Sequence, residues 1–85
     1  MTLYCPICNK NPALKGAAFC NKHCAAWVDS PERASVDWES VDSYNFELSE
    51  FIKRAVIQSE FIQLTEENSK LILSAFQLKP EDLLP

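Results

Sequence analysis

Apolar positions recur at helical spacing through the second half of the chain. In "FELSEFIKRAVIQSEFIQ", Leu48, Phe51, Ile52, Ala55, Val56 and Ile62 fall on one stripe of a helix. Ile57, Phe61 and Leu64 form a second stripe, so burial on more than one side is expected. Thr65 is a good N-cap, and Glu66 and Glu67 suit the positive end of a following helix. "SKLILSAFQL" brings Leu71, Ile72, Ala75, Phe76 and Leu78 to one broad face, and Pro80 stops it. "PEDLLP" adds room for one last turn. The short break at 63–65 predicts an antiparallel αα-hairpin over 46–85, with Phe51, Ile52, Ala55, Leu71, Ile72 and Phe76 in its core.

The first half is patterned differently. "SPE" at Ser30 to Glu32 is a helix start, with a capping hydroxyl, a proline in the first position and an early acid. The "ASVDWESVDSY" that follows has no clean period, which predicts short helical turns joined by loop over 29–45. Large apolar residues there (Val36, Trp38, Val41, Tyr44) are expected to pack, as Trp27 is, either in the chain's own core or on a partner. Residues 1–28 read as a knuckle and helix. "YCPIC" enters a turn, with Pro6 fixing one φ; "NKNPALKG" is turn-rich and ends on Gly16. "AAFC" is the expected return strand of a short β-hairpin, and "NKHCAAWV" the expected helix, capped by Asn21. The chain of 85 residues is thus expected to form one domain. It would comprise a cysteine module (1–28), an acidic connector (29–45) and a helical hairpin (46–85).

A core of this size is marginal without a metal, a disulfide or a partner. All four cysteines and the only histidine lie between Cys5 and Cys24. "MTLYCPIC" lacks a basic region followed by a long apolar run, and no stretch has the roughly 20 apolar residues of a membrane span. A soluble, cytoplasmic location with reduced thiols is therefore expected, which favours a metal over a disulfide. Cys5-x-x-Cys8 in a turn and Cys20-x-x-x-Cys24 at a helix start can close a tetrahedron around Zn²⁺. Four cysteines are the preferred ligand set, because an i, i+4 helical pair leaves no thiol over. His23 in place of Cys24 gives the Cys3His alternative. A redox motif lacks its βαβ context, and an iron–sulfur cluster requires a larger cavity.

"CPIC…FCNKHC" resembles the small zinc-binding proteins of the bacterial DNA gyrase inhibitor family and the wider group of "FCS"-type zinc fingers. Cys5, Cys8, Cys20 and Cys24 match the four ligands, and Phe19 matches the aromatic before the third. The resemblance covers residues 4–28; the helical segment 46–85 has no counterpart in that family. It implies one zinc in a knuckle-and-helix, treble-clef-like fold, and an acidic tail that engages a protein partner.

Charge is uneven. The net charge is −4. Lys10, Lys15 and Lys22 stand alone in residues 1–28, whereas seven acids face Arg33 alone in residues 29–50. An acidic chain is a poor general binder of phosphate, so nucleic acid is not the expected partner. The acidic stretch suits a protein partner with a basic surface, with Asp37, Trp38, Glu39, Asp42 and Tyr44 as candidate contacts. A nucleic-acid-binding finger is the other reading, using the three lysines and Phe19 for stacking. Catalysis is not expected: zinc takes the cysteines, His23 lies among the ligands, and one glycine makes no phosphate loop. The expectation is a non-enzymatic interaction module, monomeric or homodimeric, with inhibition of a nucleic-acid-handling machine as a mode of action.

Overall fold

Where the backbone runs, and what stops it, can be traced from the caps in a computed structural model. It describes residues 4–5, 7–8, 10–15 and 19–84. Pro6, Gly16, Ala17 and Ala18, to which the sequence assigned turn and strand roles, lie outside the described residues. Among the described residues four α-helices follow one another: α1 (Asn21–Val28), α2 (Pro31–Ala34), α3 (Val41–Gln58) and α4 (Glu66–Ala75). A 3-10 turn, Pro80–Leu83, closes the chain. No helix among the described residues is long and apolar enough to cross a membrane.

The expected β-hairpin is not present among the described residues. One isolated antiparallel bridge, Tyr4 with Pro12, is all that pairs. Pro12 has no N–H to carry a ladder onward. Cys5 N–H to Asn11 O at 3.0 Å instead closes a compact knuckle.

The helix starts follow side-chain chemistry. Ser30 caps α2 by accepting from Arg33 N–H at 3.2 Å, with Pro31 in the first turn. Its hydroxyl also donates to Trp27 O at 2.7 Å, tying the end of α1 to the start of α2. Ser40 caps α3 by accepting from Ser43 N–H at 3.1 Å. The helix therefore begins five residues before the expected boundary at 46, inside the stretch assigned to the connector. Thr65 caps α4, and Asn68 completes a reciprocal capping box.

The helix ends are set by closure rather than by composition. Ser59 and Gln77 adopt φ of 54°, the left-handed region. Glu60 N–H then reaches Ala55 O at 3.2 Å, and Leu78 N–H reaches Leu73 O at 3.0 Å. These six-to-one closures use carbonyls left free at a helix end. They stop α3 before Phe61 and α4 before Pro80.

α3 is the centre of the packing. Leu48, Phe51, Ile52, Ala55 and Val56 are buried along one stripe, and Ile62 is buried beyond its end. The second expected stripe is not: Ile57 and Leu64 are exposed and Phe61 is half-buried. The close backbone neighbours of α3 are α2 and the 3-10 turn. α4 is not laid along α3 as the expected antiparallel hairpin. It contributes Ile72 and half-buried Phe76 to the core, while Leu71, also expected there, faces solvent. Arg54 of α3 clamps the assembly, reaching Glu32 of α2 at 2.6 Å and Glu60 at 2.7 Å. The radius of gyration, 12.2 Å, is that of one folded body of this length, about 12 Å.

Candidate metal centre

Two local structures deliver the soft ligands. The knuckle presents Cys5, at 0% exposure, and half-buried Cys8. The start of α1 presents Cys20 and His23, both buried. The ligand atoms of Cys5, Cys8, Cys20 and His23 all lie within 4.8 Å of one another. His23 Nδ1 is 3.2 Å from Cys20 Sγ and 3.4 Å from Cys5 Sγ, and Cys8 Sγ is 3.9 Å from Cys20 Sγ.

The fourth member of the group is His23, not Cys24. Cys24 is half-buried and packs against the core, but its thiol is not among the gathered atoms. The reason is the backbone at Cys20. Its φ of −70° and ψ of 172° are extended, so Cys20, not Asn21, is the N-cap of α1. The i, i+4 pairing of Cys20 with Cys24 holds only if both residues are helical. From an extended N-cap, the side chain faces the third helical residue, as in a capping box, and here that residue is His23.

The electrostatics prepare a donor set. Burial pushes the Cys5 thiol up from its ordinary value, opposed by the N–H groups of Cys20, Cys8 and Ile7 that face it. Burial acts the same way at Cys8, but the N–H groups of Asn11 and Lys10, together with the thiols of Cys20 and Cys5, outweigh it, and the Cys8 thiol is lowered. Burial, then the charge of Lys22, lowers His23, so its imidazole is neutral near pH 7 with a lone pair to give. The ring stacks on Phe61 with centroids 5.5 Å apart. Phe61 meets Phe51 at 5.5 Å, so the cluster is backed by the core.

A cleft of about 750 Å³ is lined by Cys8 and His23, by Lys10 and Lys22, and by Glu66 and Glu67. Asn68 lines it too. Its side chain donates to Ile7 O of the knuckle at 3.3 Å, a contact the sequence did not disclose. The available signal was its place three residues after Thr65, where a side-chain acceptor completes a capping box.

The other sequence-chosen residues are distributed as follows. Asp37, Glu39 and Asp42 are exposed, and Trp38 is 61% exposed with Arg33 lying 4.8 Å over its ring. Tyr44 is half-buried, its ring 5.9 Å from Trp27 and 6.0 Å from Trp38. Val41 and Phe46 are exposed alongside on α3. Phe19, assigned to base stacking in one reading, is 1% exposed and packs on Phe51 and Phe76.

Fold and site together define a small, mostly helical protein with a largely buried Cys3His cluster that could hold a metal ion. Set against known proteins, the chain matches no family model, no curated protein and no solved structure.

Proposed function

We propose that this protein is a zinc-stabilised, non-enzymatic interaction module that binds a protein partner through its acidic stretch. The observation that carries the zinc reading is the spacing of the four donor atoms. A tetrahedral site with Zn–S near ~2.3 Å and Zn–N near ~2.0 Å has S···S edges of about 3.8 Å and S···N edges of about 3.5 Å. Three of the six separations here are 3.9 Å, 3.2 Å and 3.4 Å, and all six lie within 4.8 Å. Three thiols and one imidazole are a common structural zinc set, and four protein donors leave no open position for a substrate or a reactive water. A multi-iron core would hold its cysteines further apart. Native mass spectrometry tests the metal: the chain gains one zinc, and chelation removes it together with much of the thermal stability. An unchanged mass and melting curve after chelation would end the reading.

The partner reading rests on Trp38. It is a large aromatic of the type that anchors interfaces, it is mostly exposed, and Asp37, Glu39 and Asp42 surround it in sequence. A partner made to hold DNA or RNA is the natural source of a basic surface, so occlusion of nucleic acid is the proposed mode of action. The resemblance of residues 4–28 to the gyrase inhibitors is consistent with it. The nucleic-acid-binding reading is disfavoured by the burial of Phe19, the ring it assigned to base stacking. Affinity capture from the native host identifies partners. Reversing the charges at Asp37, Glu39 and Asp42 should leave the fold and zinc intact and slow association with the captured partner. Association that survives reversal and is indifferent to salt would place the contact elsewhere.

A further inference from the structure

Asn68 is one of few buried polar side chains among the described residues, and neither of its side-chain polar atoms lacks a partner. Its Oδ1 accepts from Thr65 N–H at 2.7 Å, and its own N–H donates to Thr65 Oγ1 at 3.2 Å. These bonds form the cap of α4. Its Nδ2 does something else: it donates to Gln63 O at 2.8 Å and, across 61 positions of sequence, to Ile7 O at 3.3 Å. A cap does not require that last bond.

Ile7 precedes Cys8 in the knuckle. The two ends of a trans peptide point in opposite directions. At the Ile7–Cys8 peptide, the C=O is turned to Asn68, and the nitrogen at the other end belongs to Cys8, a member of the cluster. One peptide group therefore joins the Asn68 amide to the backbone of a candidate ligand. A hydrogen bond at one end of a peptide polarises the group and strengthens the bond at the other. Loss of a side chain that orients ligands in this way commonly costs about 10- to 100-fold in metal affinity.

We infer that Asn68 is a positioning residue of the metal site: through the Ile7–Cys8 peptide it fixes the knuckle that presents Cys5 and Cys8, and it couples metal occupancy to the docking of α4. By linkage, a metal that orders the knuckle tightens the Asn68 contact, and the contact tightens the metal by the same factor. The inference rests on the zinc reading above.

The test separates the two roles of Asn68. Asn68→Asp keeps the acceptor that caps α4 and removes the Nδ2 donor. Asn68→Ala removes both, without adding a charge. Thr65→Ala damages the cap and leaves the donor in place. Zinc affinity is measured by competition with a chromogenic chelator, and the amide shift of Cys8 by NMR in the zinc-loaded chain. Asn68→Asp and Asn68→Ala should each weaken zinc about tenfold or more and move the Cys8 amide. Thr65→Ala should leave both unchanged. Wild-type affinity in both Asn68 variants, or an equal loss in Thr65→Ala, overturns the inference, since the residue then acts only as a cap. A wild-type chain that takes up no zinc overturns the metal reading itself, a separate result.

Discussion

Cys20 decides which side chains meet. Its extended backbone places it before the helix, so its neighbour in space is His23 at the third helical position and not Cys24 at the fourth. The cysteine spacing made a gathered cluster legible in the sequence, and three of its four members with it. For the fourth the sequence offered Cys24 first and His23 as the alternative, because one backbone angle separates the two answers and both residues are good ligands. A second single-residue effect sits in the core. Phe51 is fully buried, and its ring meets Phe19 at 6.2 Å, Trp27 at 5.2 Å and Phe61 at 5.5 Å. Truncation there leaves a cavity among rings drawn from the residue before the α1 cap, α1 itself and the segment after α3. Phe51→Ala should cost about 3 kcal/mol or more in denaturant unfolding of the zinc-loaded chain; a change of a few tenths would mean the ring is not the hub described. Trp38→Ala belongs to the opposite class. The ring is largely in solvent, so stability should shift by no more than about 0.5 kcal/mol while partner binding weakens. A large loss of stability would make Trp38 a packing residue instead.

At the scale of elements, periodicity located helices well and their ends poorly. The buried stripe of α3 was legible because five apolar residues repeat at helical spacing and all five are buried. Its length was not. Ser40 is an unremarkable serine in an aperiodic stretch until its hydroxyl is seen to cap, and Ser59 gives no sign in sequence of a left-handed turn. The expected hairpin failed for a related reason. The pattern of α4 carries a broad apolar face, but the segment between the helices, residues 59–65, spends its length on closing α3 and capping α4. Ile72 turns inward and Leu71 outward. Left-handed backbone is costly for serine and not for glycine. Ser59→Gly should therefore raise stability by up to about 1 kcal/mol, read as a higher denaturant midpoint at unchanged slope. A lower midpoint would show that the serine side chain contributes something its exposed position does not reveal.

For the whole molecule, the Cys3His cluster and the helical body form one structure. His23 stacks on Phe61, Phe61 meets Phe51, and Asn68 holds the knuckle carbonyl of Ile7. The cluster thus joins the first 28 residues to the last 27 across α3. A structural zinc supplies roughly 10 kcal/mol or more of folding free energy in small domains, comparable to the whole stability of an ordinary one. The core here is small, so losing the metal should disturb the helical half as well as the knuckle. The exposed acids and Trp38 lie on the far segment, away from the ligands in sequence, which leaves charge reversal there free of the metal. The claim on which the rest depends is the identity of the four donors. X-ray absorption at the zinc edge of the loaded protein measures them directly. The account predicts three sulfurs at about 2.3 Å and one nitrogen at about 2.0 Å, with the nitrogen shell lost in His23→Ala and unchanged in Cys24→Ser. Four sulfurs in the wild-type chain, with the spectrum changed by Cys24→Ser, would contradict it.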